Sequence, residues 1–158
     1  MLDSIIDARL ASIGAGLNVR RILPYRLRRT LGPFIFMDHA GPVREGPSQL
    51  QRLDVLPHPH VGLSTVSYLF EGLVTHRDSL GVEQIIRPGE VNWMTAGRGI
   101  AHSERMEDPS MLANGTLEML QTWVALAPMA RPVHDSRRGG STSARVETMA
   151  TRPDFHRT

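Results

Sequence analysis

Short runs of β-branched and aromatic residues follow one another along the chain, and turns marked by glycine or proline separate them. In LSTVSYLFEG, residues 63–72, these residues alternate with small polar ones, so Val66, Tyr68 and Phe70 share one face of a strand. The tripeptide RPG at residues 87–89 divides two further runs by the chemistry of a turn. Many short strands at close spacing predict an all-β fold of the sandwich or barrel type. Val66, Tyr68 and Phe70, like Phe34 and Phe36, are expected to lie in the core or to line a pocket, with the core favoured.

The C-terminal part of the patterned region, TLEMLQTWVALA at residues 116–127, fits either a strand or a short helix. Its Thr-Trp-Val tripeptide, residues 122–124, favours a strand. Beyond it, residues 129–158 contain no leucine or isoleucine and are rich in arginine, serine, threonine and glycine. Such a segment cannot bury much apolar surface. The sequence therefore predicts one domain over residues 1–128 and an irregular, disordered tail over residues 129–158.

Several classes of protein are disfavoured by composition. No apolar run approaches the length of a membrane span, and the N-terminal segment carries Asp3 and Asp7 where a signal peptide would be basic. The chain has no cysteine, which excludes disulfides and thiolate metal sites and suits a cytoplasmic location. A net charge of +2 gives no basis for nucleic-acid binding. We expect a cytoplasmic protein that binds neither nucleic acid nor membrane.

Two pairs of polar residues have a spacing that suits a metal site. His58 and His60 are two residues apart, and so are His102 and Glu104. Side chains two apart on a strand point to the same side, so two such strands could present four ligands to one ion. Three imidazoles and one carboxylate suit Fe(II), Mn, Co, Ni, Cu(II) or Zn and leave open positions on an octahedral ion. Taken singly, each pair would more often mark a surface turn.

The chain resembles the pirin family of the cupin superfamily. The resemblance lies in VRRILPYRLRRTLGPFIFMDHAGPV, LPHPHVGLSTVSYLFEGLVTHRDSLG, IRPGEVNWMTAGRGIAHSER and LQTWVALA. The general cupin pattern is His-x-His, then Glu, then Gly, with a later histidine. Here Thr65 stands in place of that Glu, a departure that pirins share, and their carboxylate comes from the second motif, Glu104 in this chain. The resemblance thus implies His58, His60, His102 and Glu104 as ligands of one divalent metal ion, with Fe(II) favoured.

The resemblance also implies a fold and an activity. The fold would be an antiparallel jelly-roll β-barrel with the metal inside its mouth. The activity would be that of a quercetin 2,3-dioxygenase, in which a flavonol binds the ion through its 3-hydroxyl oxygen and dioxygen opens the ring with loss of carbon monoxide. Glu104 is the candidate catalytic residue because it could accept the flavonol proton. Two alternatives stay open: a metal-dependent, redox-sensing regulator that binds a protein partner, and a truncated, inactive remnant.

Four more residues lie in the blocks that resemble pirin: Asp38, His39, His76 and Asp78. Each could orient a ligand imidazole or contact substrate, and the competing interpretation is turn capping and salt bridging. Pirins usually carry a second barrel packed on the first, and only the N-terminal one is expected in this chain. An apolar face left bare would favour a homodimer or association, which a monodisperse monomer in light scattering at micromolar concentration would contradict.

Overall fold

β-Strands make up most of the part of the chain that the structure describes. The computed structural model describes residues 5–13, 16–44, 51–106, 116–126 and 145–150. Within these ranges it contains eleven strands and a single 3-10 turn at Gln51–Leu53. The strands are, in chain order, β1 (Arg9–Ile13), β2 (Leu17–Leu23), β3 (Phe34–Arg44), β4 (Val55–His60), β5 (Leu63–Glu71), β6 (Val74–Asp78), β7 (Glu83–Ile86), β8 (Glu90–Thr95), β9 (Ile100–Arg105), β10 (Thr116–Ala125) and β11 (Arg145–Ala150).

The strands form two antiparallel sheets. The larger has seven strands in the order β1-β2-β3-β10-β5-β8-β11, and the smaller has four in the order β4-β9-β6-β7. The prediction of an all-β fold is confirmed, and the 116–127 segment forms strand β10 rather than a helix. Of the residues that the structure describes, none belongs to a helix long and apolar enough to cross a membrane.

The principal core cluster is apolar and draws on both sheets. Its buried members are Leu17, Val19, Ala40, Leu69, Val74, Ile86, Met106, Leu117 and Met119. Burying this much apolar side-chain surface is the main stabilising contribution of the fold. The cluster fixes the two sheets relative to each other, and so fixes the strands that carry the candidate site.

The expectation that the aromatic face of β5 forms the core is wrong. The opposite face is the more buried one, with Thr65, Ser67 and Leu69 each at most 4% exposed, whereas Phe70 is 45% exposed. A small polar residue can lie in the interior here when a neighbouring strand satisfies its hydroxyl group. The Ser67 hydroxyl, for example, donates to Gln121 Oε1 on β10 at 2.6 Å.

Strand β3 contains a glycine that no other residue could replace without a clash. Gly41 has φ of +84°, and a Cβ built on it would lie 2.1 Å from the carbonyl oxygen of Leu117 on β10. The pairing of β10 with β3 is irregular at this point, between Leu117 and Met119. The close approach of the two backbones therefore depends on the missing side chain.

Part of the predicted tail is described. Residues 145–150 form β11, which pairs antiparallel with β8 at one edge of the larger sheet. The ranges 129–144 and 151–158 lie outside the described residues, so the disordered tail stays a prediction for them.

Candidate metal centre

Two adjacent strands of the smaller sheet bring three histidines together. Strand β4 carries His58 and His60, and β9 carries His102, which pairs directly with His58 across the ladder. One extra residue in β4, between Val55 and His58, makes the pairing irregular just before the histidines. One ligand nitrogen from each ring lies within 4.8 Å of the other two. The structure thus assembles the three imidazoles that the sequence pattern singles out.

The ring nitrogens of His58 and His102 differ in their partners. His58 Nδ1–H donates to the backbone carbonyl of Leu56 at 2.9 Å, and a carbonyl can only accept, so Nε2 of a neutral His58 ring keeps its lone pair. His102 Nε2 is buried and has no hydrogen-bond partner among the described residues. A buried nitrogen without a partner is costly unless something else binds it. The set therefore fits a metal ion.

Burial keeps two of the three rings neutral. It lowers the pKa of His60 to about 4, with the charge of His58 as a smaller cause. Burial also lowers the pKa of His102 to about 2, helped by the nearby His58, His76 and His60. Because a protonated imidazole cannot bind a metal, these shifts keep His60 and His102 able to bind an ion at neutral pH.

Glu104 lies next to this cluster but is not one of its three members. It is two residues beyond His102 on β9, and its Oε1 is 3.6 Å from His102 Nδ1. The carboxyl group borders the same cavity as His58 and His60. Burial raises its pKa to about 7. A carboxyl group with this pKa can take up or release a proton near neutral pH.

Replacing Glu104 with glutamine is expected to stabilise the metal-free protein at pH 8 but not at pH 5. The folded-state pKa is raised, so the folded protein holds a proton between pH 4.5 and 7 that the unfolded chain has lost. Stability therefore falls as pH rises through this window, and above it the buried charge costs up to about 3 kcal/mol. Urea unfolding in the presence of a chelator, at both pH values, measures the difference between Glu104→Gln and the parent.

The control for this comparison is Glu83→Gln. Glu83 is exposed and paired with Arg77, which lowers rather than raises its pKa, so this variant should gain nothing at pH 8. Protonation of His60 and His102 affects the parent and both variants alike and cancels in the difference. An equal effect of Glu104→Gln at pH 5 and pH 8 would contradict a raised pKa.

A large cavity lies against the three-histidine cluster. Its volume is about 810 Å³, and most of its lining is apolar. One wall is a row of stacked groups. Trp123 packs edge-on against His60 at 5.2 Å between ring centroids, and it stacks on Phe36 at 4.3 Å. The Arg21 guanidinium lies 4.7 Å from the Phe36 ring centre. The cavity therefore offers a flat aromatic wall beside the histidines.

The four further residues that the sequence singled out fall into two places. Asp38 is 1% exposed, borders the cavity and holds Arg21 through two hydrogen bonds of 2.8 Å. His39 is its neighbour on β3 and so faces the other side, where it bonds Glu118 and accepts from Arg20, both at 2.8 Å. The other two, His76 and Asp78, are buried behind His102.

Three cavity residues were missed or misjudged at the level of sequence. Trp123 and Arg21 were not proposed as site residues, and for Phe36 the core was favoured over a pocket lining. A signal was present in β10, where Met119, Gln121 and Trp123 alternate and all border the cavity. Period-two spacing shows that such residues share a face, but not which face borders a cavity.

Comparison with known proteins points to one family. A sequence model of the pirin family matches residues 16–124. A pirin-like protein of Caulobacter vibrioides is 51% identical over 126 residues, which are 80% of this chain and 43% of that protein. The crystal structure of a quercetin 2,3-dioxygenase from Acinetobacter baumannii matches with a TM-score of 0.77 and 39% identity, covering 93% of this chain and 44% of that one.

A third comparison extends the likeness of fold. The bacterial pirin YhhW of Escherichia coli, solved in complex with nickel(II), matches with a TM-score of 0.66 and 22% identity over 90% of this chain and 54% of that one. The predicted cupin fold, an antiparallel jelly-roll barrel, is thus confirmed. The chain spans less than half the length of the Caulobacter and Acinetobacter relatives.

Proposed function

The chain belongs to the pirin family, and we propose that it is a metal-dependent dioxygenase of the quercetin 2,3-dioxygenase type. The observation that carries the proposal is the buried, unpartnered His102 Nε2 beside two more imidazoles at the wall of an apolar cavity. The similarity to a solved quercetin 2,3-dioxygenase supports the reaction class. Since that protein is more than twice as long, activity of this single domain is part of the proposal.

We propose His58, His60, His102 and Glu104 as the residues that hold one divalent ion, with Fe(II) favoured. Three neutral nitrogen donors and one carboxylate suit Fe(II) and several neighbouring metals. When bound, the ion would supply Lewis acidity toward a substrate oxygen and redox chemistry toward dioxygen. The nickel(II) complex of the Escherichia coli pirin supports a metal in this fold but does not select among metals.

The cavity supports a flat, aromatic substrate such as a flavonol. The stacked pair Phe36 and Trp123 presents a planar apolar surface next to His60, and aromatic rings pack well on such surfaces. A volume of about 810 Å³ is in the range of pockets that bind small organic molecules. A flavonol that lies on this wall would direct its 3-hydroxyl oxygen toward the three histidines.

Glu104 is the proposed proton acceptor for the flavonol hydroxyl. Its carboxyl group borders the cavity, and its pKa of about 7 suits a group that must both take and release a proton at neutral pH. Glu104 can both bind the ion and accept the proton only if the proton moves to the carboxyl oxygen that does not bind the ion. Overall, one flavonol and one dioxygen would give one ring-opened ester and one carbon monoxide.

The test is a measurement of metal content and flavonol turnover on the same preparation. The purified chain is stripped with a chelator, reloaded anaerobically with Fe(II), and assayed with quercetin for oxygen uptake and carbon monoxide release. We expect activity only after reloading, with equal consumption of quercetin and oxygen. Equal quercetin consumption before and after stripping, or a fully loaded protein that consumes none, would overturn the proposal.

A further inference from the structure

Strand β6 places two buried polar residues directly behind His102. In the ladder between β6 and β9, Asp78 pairs with His102 and His76 pairs with Glu104. The side chains of His76 and Asp78 are both fully buried. Two polar side chains this deep in a protein require defined hydrogen-bond partners. Their partners determine which nitrogen of each ring carries a hydrogen.

Asp78 fixes the tautomer of His76. Its Oδ1 accepts from the backbone N–H groups of Leu80 and Val82, at 2.8 and 3.1 Å. Its Oδ2 lies 3.2 Å from His76 Nε2. A carboxylate can only accept, so Nε2 of His76 must be the donor. In a neutral His76 ring, Nδ1 is then left with a lone pair.

A second group of residues agrees with this assignment. Gln84 Nε2 donates to Asn92 Oδ1, so the amide Nδ2 of Asn92 is the atom that faces His76, at 3.4 Å from its Nδ1. An amide N–H can only donate, which again makes His76 Nδ1 an acceptor. The Nδ1 atom of His102 lies 3.4 Å from this same acceptor. His102 Nδ1 thus faces the lone pair of His76 Nδ1, which it shares with Asn92, and the Glu104 carboxyl group 3.6 Å away. Both favour the hydrogen of a neutral His102 ring on Nδ1.

We propose that Asp78 and His76 are positioning residues that hold His102 in the Nδ1–H tautomer and so keep the lone pair of Nε2 exposed to the candidate metal centre. The inference rests on the proposed metal-binding function. It accounts for the buried Nε2 that has no partner among the described residues. The Leu56 carbonyl has the same effect on His58, so two of the three imidazoles have their tautomers set by partners behind them.

The decisive variant is Asp78→Asn. The new side chain can keep its Oδ1 on the two backbone N–H groups, which leaves its Nδ2 facing His76 Nε2. Two donors then oppose each other unless His76 moves its hydrogen to Nδ1. Asn92 must then turn its amide oxygen toward His76 Nδ1, and His102 must move its hydrogen to Nε2. Because a protonated Nε2 cannot bind metal, we expect nickel(II) affinity, measured by titration calorimetry, to fall about 10- to 100-fold.

A matched control comes from the same hairpin. Glu83→Gln makes the same carboxylate-to-amide change at an exposed residue paired with Arg77, and its nickel(II) affinity should equal that of the parent. The second readout is the pattern of ¹⁵N shifts of the histidine rings in the metal-free parent and in Asp78→Asn. We expect the Nδ1–H tautomer at His102 in the parent and a shift toward Nε2–H in the variant. A purely structural role for Asp78 would not move this signature.

The outcomes separate the positioning role of Asp78 and His76 from the proposed function. The positioning role is overturned if Asp78→Asn binds nickel(II) within twofold of the parent. It is also overturned if His102 in the metal-free parent is the Nε2–H tautomer. Should Asp78→Asn not fold, the tautomer of His102 in the parent can still be measured, and an Nε2–H form there would overturn the proposal. The parent could show the expected tautomer and bind nickel(II) but consume no flavonol. That result would uphold the positioning role and overturn only the proposed reaction.

Discussion

Replacing His102 with asparagine is expected to weaken divalent metal binding more than about 100-fold, since even residues that only support a ligand contribute about 10- to 100-fold. The asparagine amide occupies the position of Nδ1 and can still donate to His76, but it has no atom in the position of Nε2. The variant therefore removes the unpartnered nitrogen while keeping the contact behind it. Nickel(II) titration calorimetry on the chelator-treated protein measures the loss.

The stability of the same variant checks the physical reason. The metal-free parent buries a nitrogen without a partner, so losing that atom offsets part of the packing lost with the ring. The melting temperature without metal should fall only slightly, and the increase that nickel(II) gives the parent should vanish. His39→Asn is the matched control, because His39 bonds Glu118 on the other face of β3, and it should retain metal binding. Parent-like affinity in His102→Asn would refute His102 as a ligand.

The second large effect concerns folding. Gly41→Ala is expected to destabilise the protein by about 3 kcal/mol or more, because two costs add. A left-handed backbone is strained for alanine, and the new Cβ would lie 2.1 Å from the Leu117 carbonyl oxygen. Relief of that contact would require β3 and β10 to move apart in the middle of the larger sheet. Urea unfolding monitored by tryptophan fluorescence measures the change.

Gly81→Ala separates the two costs. Gly81 has the same φ of +84°, but a Cβ built there meets nothing within 4 Å. This variant should lose only the roughly 1–2 kcal/mol of backbone strain. If Gly41→Ala were no more destabilising than Gly81→Ala, the close approach of β3 and β10 would not contribute to the stability lost in Gly41→Ala.

The sequence was most informative where a local pattern determines position. His58 and His60 face the same way because strands alternate, and the antiparallel pairing of β4 with β9 brings His102 to them. The same rule identified the two faces of β5 but not which one is inside. Hydrophobicity favoured the face with Phe70, and the buried hydroxyl of Ser67 is possible only because Gln121 lies opposite it.

Other features depend on which strands become neighbours, and local patterns do not encode this. His76 and Asp78 could be named as candidates from the sequence, yet their relation to His102 follows from the pairing of β6 with β9. Arg21 joins the cavity wall because β2 pairs with β3, where Asp38 and Phe36 lie. Glu104 was proposed as a ligand from its spacing, whereas its raised pKa follows from burial, which spacing does not predict.

Because His58 pairs directly with His102, the three histidines come together only when β4 and β9 pair in the correct register. A slip of one residue in this ladder would turn every side chain of one strand to the opposite face of the sheet. Mispaired chains would then present His58 and His60 without His102, and an ion would be held by fewer donors. Since an ion stabilises whichever state binds it most tightly, metal would select the correctly paired chain from its mispaired alternatives.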